Sequence, residues 1–149
     1  MIKYFTYRSL DDLVRDAGQR GVSVRVSEGI APLLEPVKIG SLTAGNRLAV
    51  HPMEGCDGTL DGRPDELTFK RWEAFGAGGA KIIWGEATAV VPEGRANPRQ
   101  LLLTGDTVAD FAQLLGRARQ AHRSRFGRDD DLVVGLQLTH SGRWSHPRP

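Results

Sequence analysis

Gly79-Ala80-Lys81-Ile82-Ile83-Trp84-Gly85-Glu86-Ala87-Thr88-Ala89-Val90 decides how this chain is read. Ala80 to Trp84 is a short apolar run broken only by Lys81, as in a strand buried on both faces. The run then turns polar at Glu86 and Thr88. Two other blocks repeat the form. Asn46-Arg47-Leu48-Ala49-Val50-His51-Pro52-Met53-Glu54 places a strand at Leu48 to Val50. Pro52 cannot donate a ladder hydrogen bond, so it marks that strand's end. Val134-Gly135-Leu136-Gln137-Leu138-Thr139-His140-Ser141-Gly142-Arg143 carries a third strand, Leu132 to Leu138, into polar residues.

Helical patterns separate the strands. Pro64, Asp65 and Glu66 suit a helix start. Phe69, Trp72 and Phe75 then recur at three-residue spacing, before Gly76, Gly78 and Gly79 stop the helix. Trp72 and Trp84 are both expected in the core. Thr107 followed by Asp110 resembles a capping box, with Asp in the usual Glu position. Val108, Phe111, Leu114, Leu115 and Ala118 form a second helical stripe. The links are turn-rich: Glu54 to Gly58, Asp61 to Pro64, Val91 to Asp106 and the acidic turn Asp129-Asp130-Asp131. The resulting β-α-β-α-β order favours a parallel sheet with right-handed crossovers. No Gly-x-Gly-x-x-Gly follows a strand, so the dinucleotide-binding fingerprint is missing.

Residues 1–30 read as an extension before this domain, which occupies 31–149. Ser9 can cap a helix carrying Leu10, Leu13, Val14 and Ala17, closed by Gly18 and Gly21. Val22, Val24 and Val26 alternate with polar residues, as in a short edge strand. Pro32, Pro36, Gly40 and Gly45 punctuate residues 31–45, predicting turns or a small hairpin.

At 149 residues the chain suffices for one domain but not for a complete (β/α)8 barrel, which needs roughly 250. Apolar content of 40% and charge content of 26% fit a soluble globular protein. The net charge is only +2, giving no nucleic-acid or membrane footprint. Arg117, Arg119, Arg123, Arg125 and Arg128 read as a solvated helix face and its C-terminal turn. One cysteine, Cys56, excludes an internal disulfide and a cysteine-based zinc site, and no metal is expected. No apolar h-region and no membrane-length apolar run are present, so the cytoplasm is the default location.

In parallel α/β folds chemistry sits at the carboxyl ends of strands. Those ends are His51 to Glu54, Gly85 to Thr88, and Gln137 to His140. A primary amide such as Gln137 both donates and accepts. Ala87 leaves room for a flat ring close to the backbone, and Pro52 and Met53 add a fixed turn and a polarisable contact.

The three blocks, in this order, resemble the N-terminal part of the old yellow enzyme family of FMN-dependent NAD(P)H:flavin oxidoreductases. The resemblance covers about residues 31–146, and Gln-Leu-Thr-His-Ser-Gly-Arg is similar to the family's Gln-Leu-x-His-x-Gly-Arg. It implies the first three strands of an incomplete TIM (β/α)8 barrel. It implies FMN lined by His51, Pro52, Met53, Glu54 and Ala87, with Gln137 on the flavin's pyrimidine edge. Hydride would pass from NADH or NADPH to FMN, then to an electron-poor alkene or similar small-molecule acceptor. His51 also reads as a solvated turn residue, and His140 and Arg143 as ties for the loop after the third strand.

Glu54 departs from the family, which usually has Cys or Thr there. Three readings stay open: a charge that disfavours flavin reduction, a buried neutral donor, or a side chain turned away in favour of Cys56. The family's substrate-holding His/Asn or His/His pair, its tyrosine proton donor and its strand 7–8 phosphate site match nothing here. Tyr4 and Tyr7 lie in the extension and match none of these parts. The isolated chain is therefore expected to bind FMN weakly or not at all, to be poorly soluble or a homo-oligomer, and not to turn over. A non-catalytic barrel remnant or interaction module is the alternative reading, and a small independent α/β binding protein a third.

Overall fold

A computed structural model describes residues 6–27 and 29–149. Tyr4 lies outside the described residues. The chain divides into two compact units, Met1–Pro32 and Leu33–Pro149.

The first unit holds helix α1 (Leu10–Gln19). Its start is the expected one: Asp12 N donates to Ser9 Oγ at 3.2 Å, and Ser9 N donates to Asp12 Oδ2 at 3.2 Å. This reciprocal pair satisfies two donors that a helix start leaves open. Gly18 falls inside the helix; the chain turns at Gly21, where φ is +69°. The alternation at Val22, Val24 and Val26 does not make a strand. A strand needs a partner ladder, and Val22 N is instead drawn back to Ala17 O at 2.9 Å. All three valines are exposed.

A one-turn helix, α2 (Ala31–Leu34), which the sequence did not announce, precedes the expected hairpin. The hairpin pairs β1 (Val37–Ile39) with β2 (Leu42–Ala44), antiparallel, around Gly40. The main sheet follows: β3 (Ala49–Val50), β4 (Ile82–Ala89) and β5 (Val133–Thr139), parallel, in the order β3-β4-β5. Helix α3 (Glu66–Ala77) links β3 to β4, and α4 (Val108–Phe126) links β4 to β5. This is the expected β-α-β-α-β order.

The core lies between the sheet and the two helices, around Trp72, Ile83, Leu101, Phe111, Leu114 and Leu132. Two close approaches set its geometry. Gly76 of α3 meets the α4 backbone so tightly that a Cβ there would sit 2.1 Å from Ala118 O. Gly85 leaves space for the Trp72 ring, which a Cβ would meet at 2.4 Å. At the opposite end of the strands, buried His122 donates from Nδ1 to Gly76 O at 2.7 Å and lies 2.8 Å from Lys81 Nζ through Nε2. Lys81 in turn pairs with Asp131 at 2.9 Å. The polar break in the strand is thus a paired ammonium, as burial demands.

Three expectations need correction. Trp84 is not core: it is 47% exposed, because α3 and α4 cover only one face of the sheet. Its ring lies against Gly135 of the neighbouring strand. The β4 strand does not end at Trp84 but runs to Ala89. Thr107 forms no capping box. Its backbone, at φ −110° and ψ −8°, is not extended, and its hydroxyl donates instead to Leu102 O at 2.6 Å. Asp110 is drawn to Arg63. The arginines of α4 are on the solvated side as read: Arg119 and Arg123 meet Asp129, and Arg117 meets Glu73.

Candidate functional site

The strand ends converge because β4 is irregular. Its register with β5 runs Ile83↔Val134, Trp84↔Gly135, Gly85↔Leu136, and then resumes at Ala87↔Gln137. Glu86 is the unpaired residue of a β-bulge. A regular strand would set Glu86 opposite Gln137. The bulge instead turns Glu86 toward the helices and brings Ala87 beside Gln137, on the face of Trp84 and Gly135.

Glu86 is 3% exposed and fully engaged. It accepts from Trp72 Nε1 at 3.1 Å, from Arg71 Nη2 at 2.8 Å and from Gly55 N at 3.1 Å. Arg71 also grips Asp57 with two nitrogens, at 2.7 and 3.0 Å, and Thr68 Oγ1 donates to the same carboxylate at 2.8 Å. Burial pushes the Asp57 carboxyl up, but the bonds from Arg71 and Thr68 and the Arg71 charge hold it below the usual range. This network pins the chain leaving β3 onto β4 and α3.

That chain carries His51, Pro52, Met53 and Glu54. His51 and Met53 are exposed, Met53 at 75%, while Pro52 and Glu54 are half-buried. Glu54 and Cys56 share a neighbour in Asn97. The carboxylate takes donors from Asn97 Nδ2 at 2.8 Å and Gln100 Nε2 at 3.1 Å, and Cys56 Sγ lies 3.4 Å from the same Asn97 nitrogen. Burial raises the Glu54 carboxyl above its ordinary value, the nearby Glu86 charge raises it further, and the Asn97 bond opposes both. The Cys56 thiol is raised too, by burial and then by the surrounding carboxylates. Cys56 sits at φ +51°, an uncommon backbone for a non-glycine residue.

Ala87 and Gln137 are half-buried and adjacent. The Gln137 amide makes no side-chain hydrogen bond to another described residue, so its donors and acceptor are not engaged by neighbouring side chains. His140 packs its ring against Gly94, whereas Arg143 meets only its own neighbour in the loop. His140 Nδ1 accepts from Gly142 N at 3.0 Å, Ser141 N donates to Gly94 O at 2.8 Å, and Arg143 stacks on Trp144.

Sequence reading missed Gln100. It is 1% exposed and its Nε2 lies within hydrogen-bond distance of Glu54 Oε1, Ala87 O (3.0 Å) and Thr139 Oγ1 (3.3 Å). Those partners follow β3, lie in β4 and close β5. The only signal was a glutamine set directly before the apolar run Leu101 to Leu103 in a polar loop. That run returns to β4: Ala89 N donates to Leu101 O and Leu103 N to Ala89 O. Arg95, also missed, holds the loop from inside, its guanidinium donating to the carbonyls of Leu60 and Gln100.

No family model matches the chain. An NADPH dehydrogenase of Geobacillus sp. (strain WCH70) is 30% identical over 115 residues, spanning 76% of this chain and 31% of that protein. Over that span the chain is similar to the old yellow enzyme family. Solved structures agree. The old yellow enzyme of Trypanosoma cruzi superposes with a TM-score of 0.62 at 24% identity, over 77% of this chain and 28% of its own. Morphinone reductase does so with a TM-score of 0.58 at 28% identity, over 76% of this chain and 28% of its own. The fold is therefore a β-α-β-α-β portion of the old yellow enzyme TIM barrel, open along β5. The chain spans less than a third of the length of these relatives.

Proposed function

We propose that this chain supplies the first three strand ends of an FMN site in an old-yellow-enzyme-type NAD(P)H oxidoreductase. One observation carries the reading: the bulge at Glu86 brings Ala87 beside Gln137, with the His51–Glu54 turn on the strand next to them. The donor chemistry fits a flavin. Its pyrimidine edge offers carbonyl acceptors and an N–H donor, and Gln137 offers a primary amide not engaged by other side chains. Ala87 brings no bulk that would hold a ring off the strand.

When bound, FMN supplies hydride chemistry between NADH or NADPH and an electron-poor alkene or similar acceptor. The residues of this chain orient and polarise. Gln137 donates and accepts at the pyrimidine edge. Pro52 and Met53 wall the site beside β3, with His51 at its rim. Glu54 sets the local charge. The substrate pair and the proton donor have no counterpart among the residues matched here, so turnover is assigned to the intact enzyme architecture and not to these three strands. Neither a membrane nor a nucleic acid is a proposed partner; among the described residues no helix is long and apolar enough to cross a membrane. A cytoplasmic location goes with this reading.

A second reading, a binding module without turnover, is favoured by the apolar groove between α4 and β5. It is lined by Leu103, Val108, Leu115, Leu136 and Leu138, and encloses about 500 Å³.

Flavin content separates the two. The protein as its source cell makes it should carry FMN in its visible spectrum, and Gln137→Leu should weaken FMN binding at least about tenfold, the equivalent of about 1.4 kcal/mol. Source protein as long as its relatives that is free of flavin and gains none on addition of FMN would sink the oxidoreductase reading.

A further inference from the structure

Gln100 lies outside the strands, yet it is the group that touches all three strand ends. Its amide is oriented unambiguously. Oε1 accepts from Ala96 N at 2.6 Å, so Nε2 is the atom turned toward Glu54, Ala87 and Thr139. Two N–H bonds meet three acceptors there. The Glu54 carboxylate, the Ala87 carbonyl and the Thr139 hydroxyl therefore share those two N–H bonds. Gln100 is held for this by its own backbone carbonyl, which accepts from Arg95 Nε at 3.0 Å and Nη2 at 2.7 Å. A buried amide so placed is costly to leave unmatched, and the half-buried Glu54 carboxylate beside it gains from the donor.

We propose that Gln100 is a positioning residue that locks the three strand ends together and holds the Glu54 carboxylate, ionised, at the edge of the flavin site. This rests on the flavin reading above. The charged and titratable groups around Glu54 are Glu86 on β4, Cys56 and Asp57 on its own loop, and Arg71 on α3. Burial and then Glu86 favour the proton on Glu54, and the Asn97 amide opposes them; the Gln100 N–H, 3.1 Å from Glu54 Oε1, is a second donor to the charged form. Removing the Gln100 donor tips that balance toward the proton. A negative charge beside the ring disfavours reduction, so the flavin potential reports the charge state of Glu54.

The test is the flavin midpoint potential against pH, in the FMN-loaded protein as its source makes it. The Glu54 ionisation appears as a break in that profile. Gln100→Leu should move the break to higher pH by about one unit. In a Glu54→Gln background the break should vanish, and Gln100→Leu should then leave the profile unchanged. Equal displacement in both backgrounds means Gln100 acts only on structure and overturns the proposal. If the unaltered protein holds no flavin, the flavin reading falls by itself. The lock is then decided by the ¹³C carboxyl titration of Glu54, whose midpoint should rise in Gln100→Leu. If that variant does not fold, the Gln100 side-chain amide signals of the unaltered protein should titrate with the Glu54 midpoint. Signals indifferent to Glu54 would overturn it.

Discussion

The carboxylate of Glu86 accepts the indole N–H of Trp72 at 3.1 Å, so β4 spends two successive positions, Gly85 and Glu86, on its helix-facing side. The same carboxylate is the counter-charge of Arg71 at 2.8 Å. Glu86→Ala strips the acceptor from the indole and from Gly55 N, and leaves Arg71 with Asp57 alone. Loss of one member of a buried pair is expensive, tempered here by the remaining partner and by partial exposure of Arg71. Urea unfolding should show a loss of about 2–3 kcal/mol. A loss under about 0.5 kcal/mol would mean the network is decoration.

Helix contact makes a second, opposed pair of outcomes. Gly76→Ala forces a methyl group onto the Ala118 carbonyl and should destabilise by about 1–3 kcal/mol through displacement of α3 from α4. Gly116 lies inside α4 with nothing within 4 Å of the position its Cβ would take. Gly116→Ala should therefore stabilise, by about 0.5–1 kcal/mol, through helix propensity alone. Thermal unfolding of the two variants side by side reads both signs.

Two carboxylates of one loop should respond to pH in opposite senses. Asp57 is held below its usual range, so its contribution is present above the unfolded value and is lost as pH falls through the lower folded value. Glu54 is raised, so its contribution is present below the unfolded value and is lost as pH rises through the folded one. Glu54→Gln should accordingly raise the Tm near neutral pH and lose that advantage in mild acid. Asp57→Asn should lower the Tm at neutral pH and matter less as acid is added. A pair of Tm–pH curves that run parallel to the unaltered protein would contradict both assignments.

The groove beside β5 exposes Val108 at 55% and Leu138 at 58%, next to a strand edge with unpaired backbone groups. Apolar surface beside an open edge favours self-association. Sedimentation velocity of the 149-residue chain should show mass rising with concentration, and Leu138→Lys should reduce that rise. A chain that stays monomeric at all concentrations would remove the basis for this prediction.

The parts legible in the sequence are those governed by local pattern. The apolar runs located all three strands, Ser9 and Asp12 the first helix start, and the Phe69, Trp72 and Phe75 spacing the helix whose buried member is Trp72. What stayed hidden depends on partners distant in the chain. Val22 to Val26 carry a strand pattern without a neighbour to pair with. Thr107 has the right residue for a cap and the wrong backbone, because Leu102 O draws its hydroxyl away. Glu86 reads as the polar end of a strand that in fact continues past it, because Trp72 and Arg71 are in place to receive it. Gln100 has no periodicity to betray it; its partners lie in three segments that only the fold assembles. Of the proposed flavin residues, Ala87 and Gln137 are brought together and Glu54 is tied to Ala87 through Gln100, while His51 and Met53 stand exposed on the turn after β3.

The unpaired residue in β4 also has a consequence for shuffling between barrels. Because sides alternate along a strand, one extra residue reverses the inside–outside parity of everything after it. Before Gly85 and after Ala87 the strand obeys two different codes. A chimaera joined between those residues to a relative lacking the insertion would send the wrong set of side chains to the helices over the whole upper strand. Crossovers placed before Gly85 or beyond Ala89 keep the count and should yield folded hybrids.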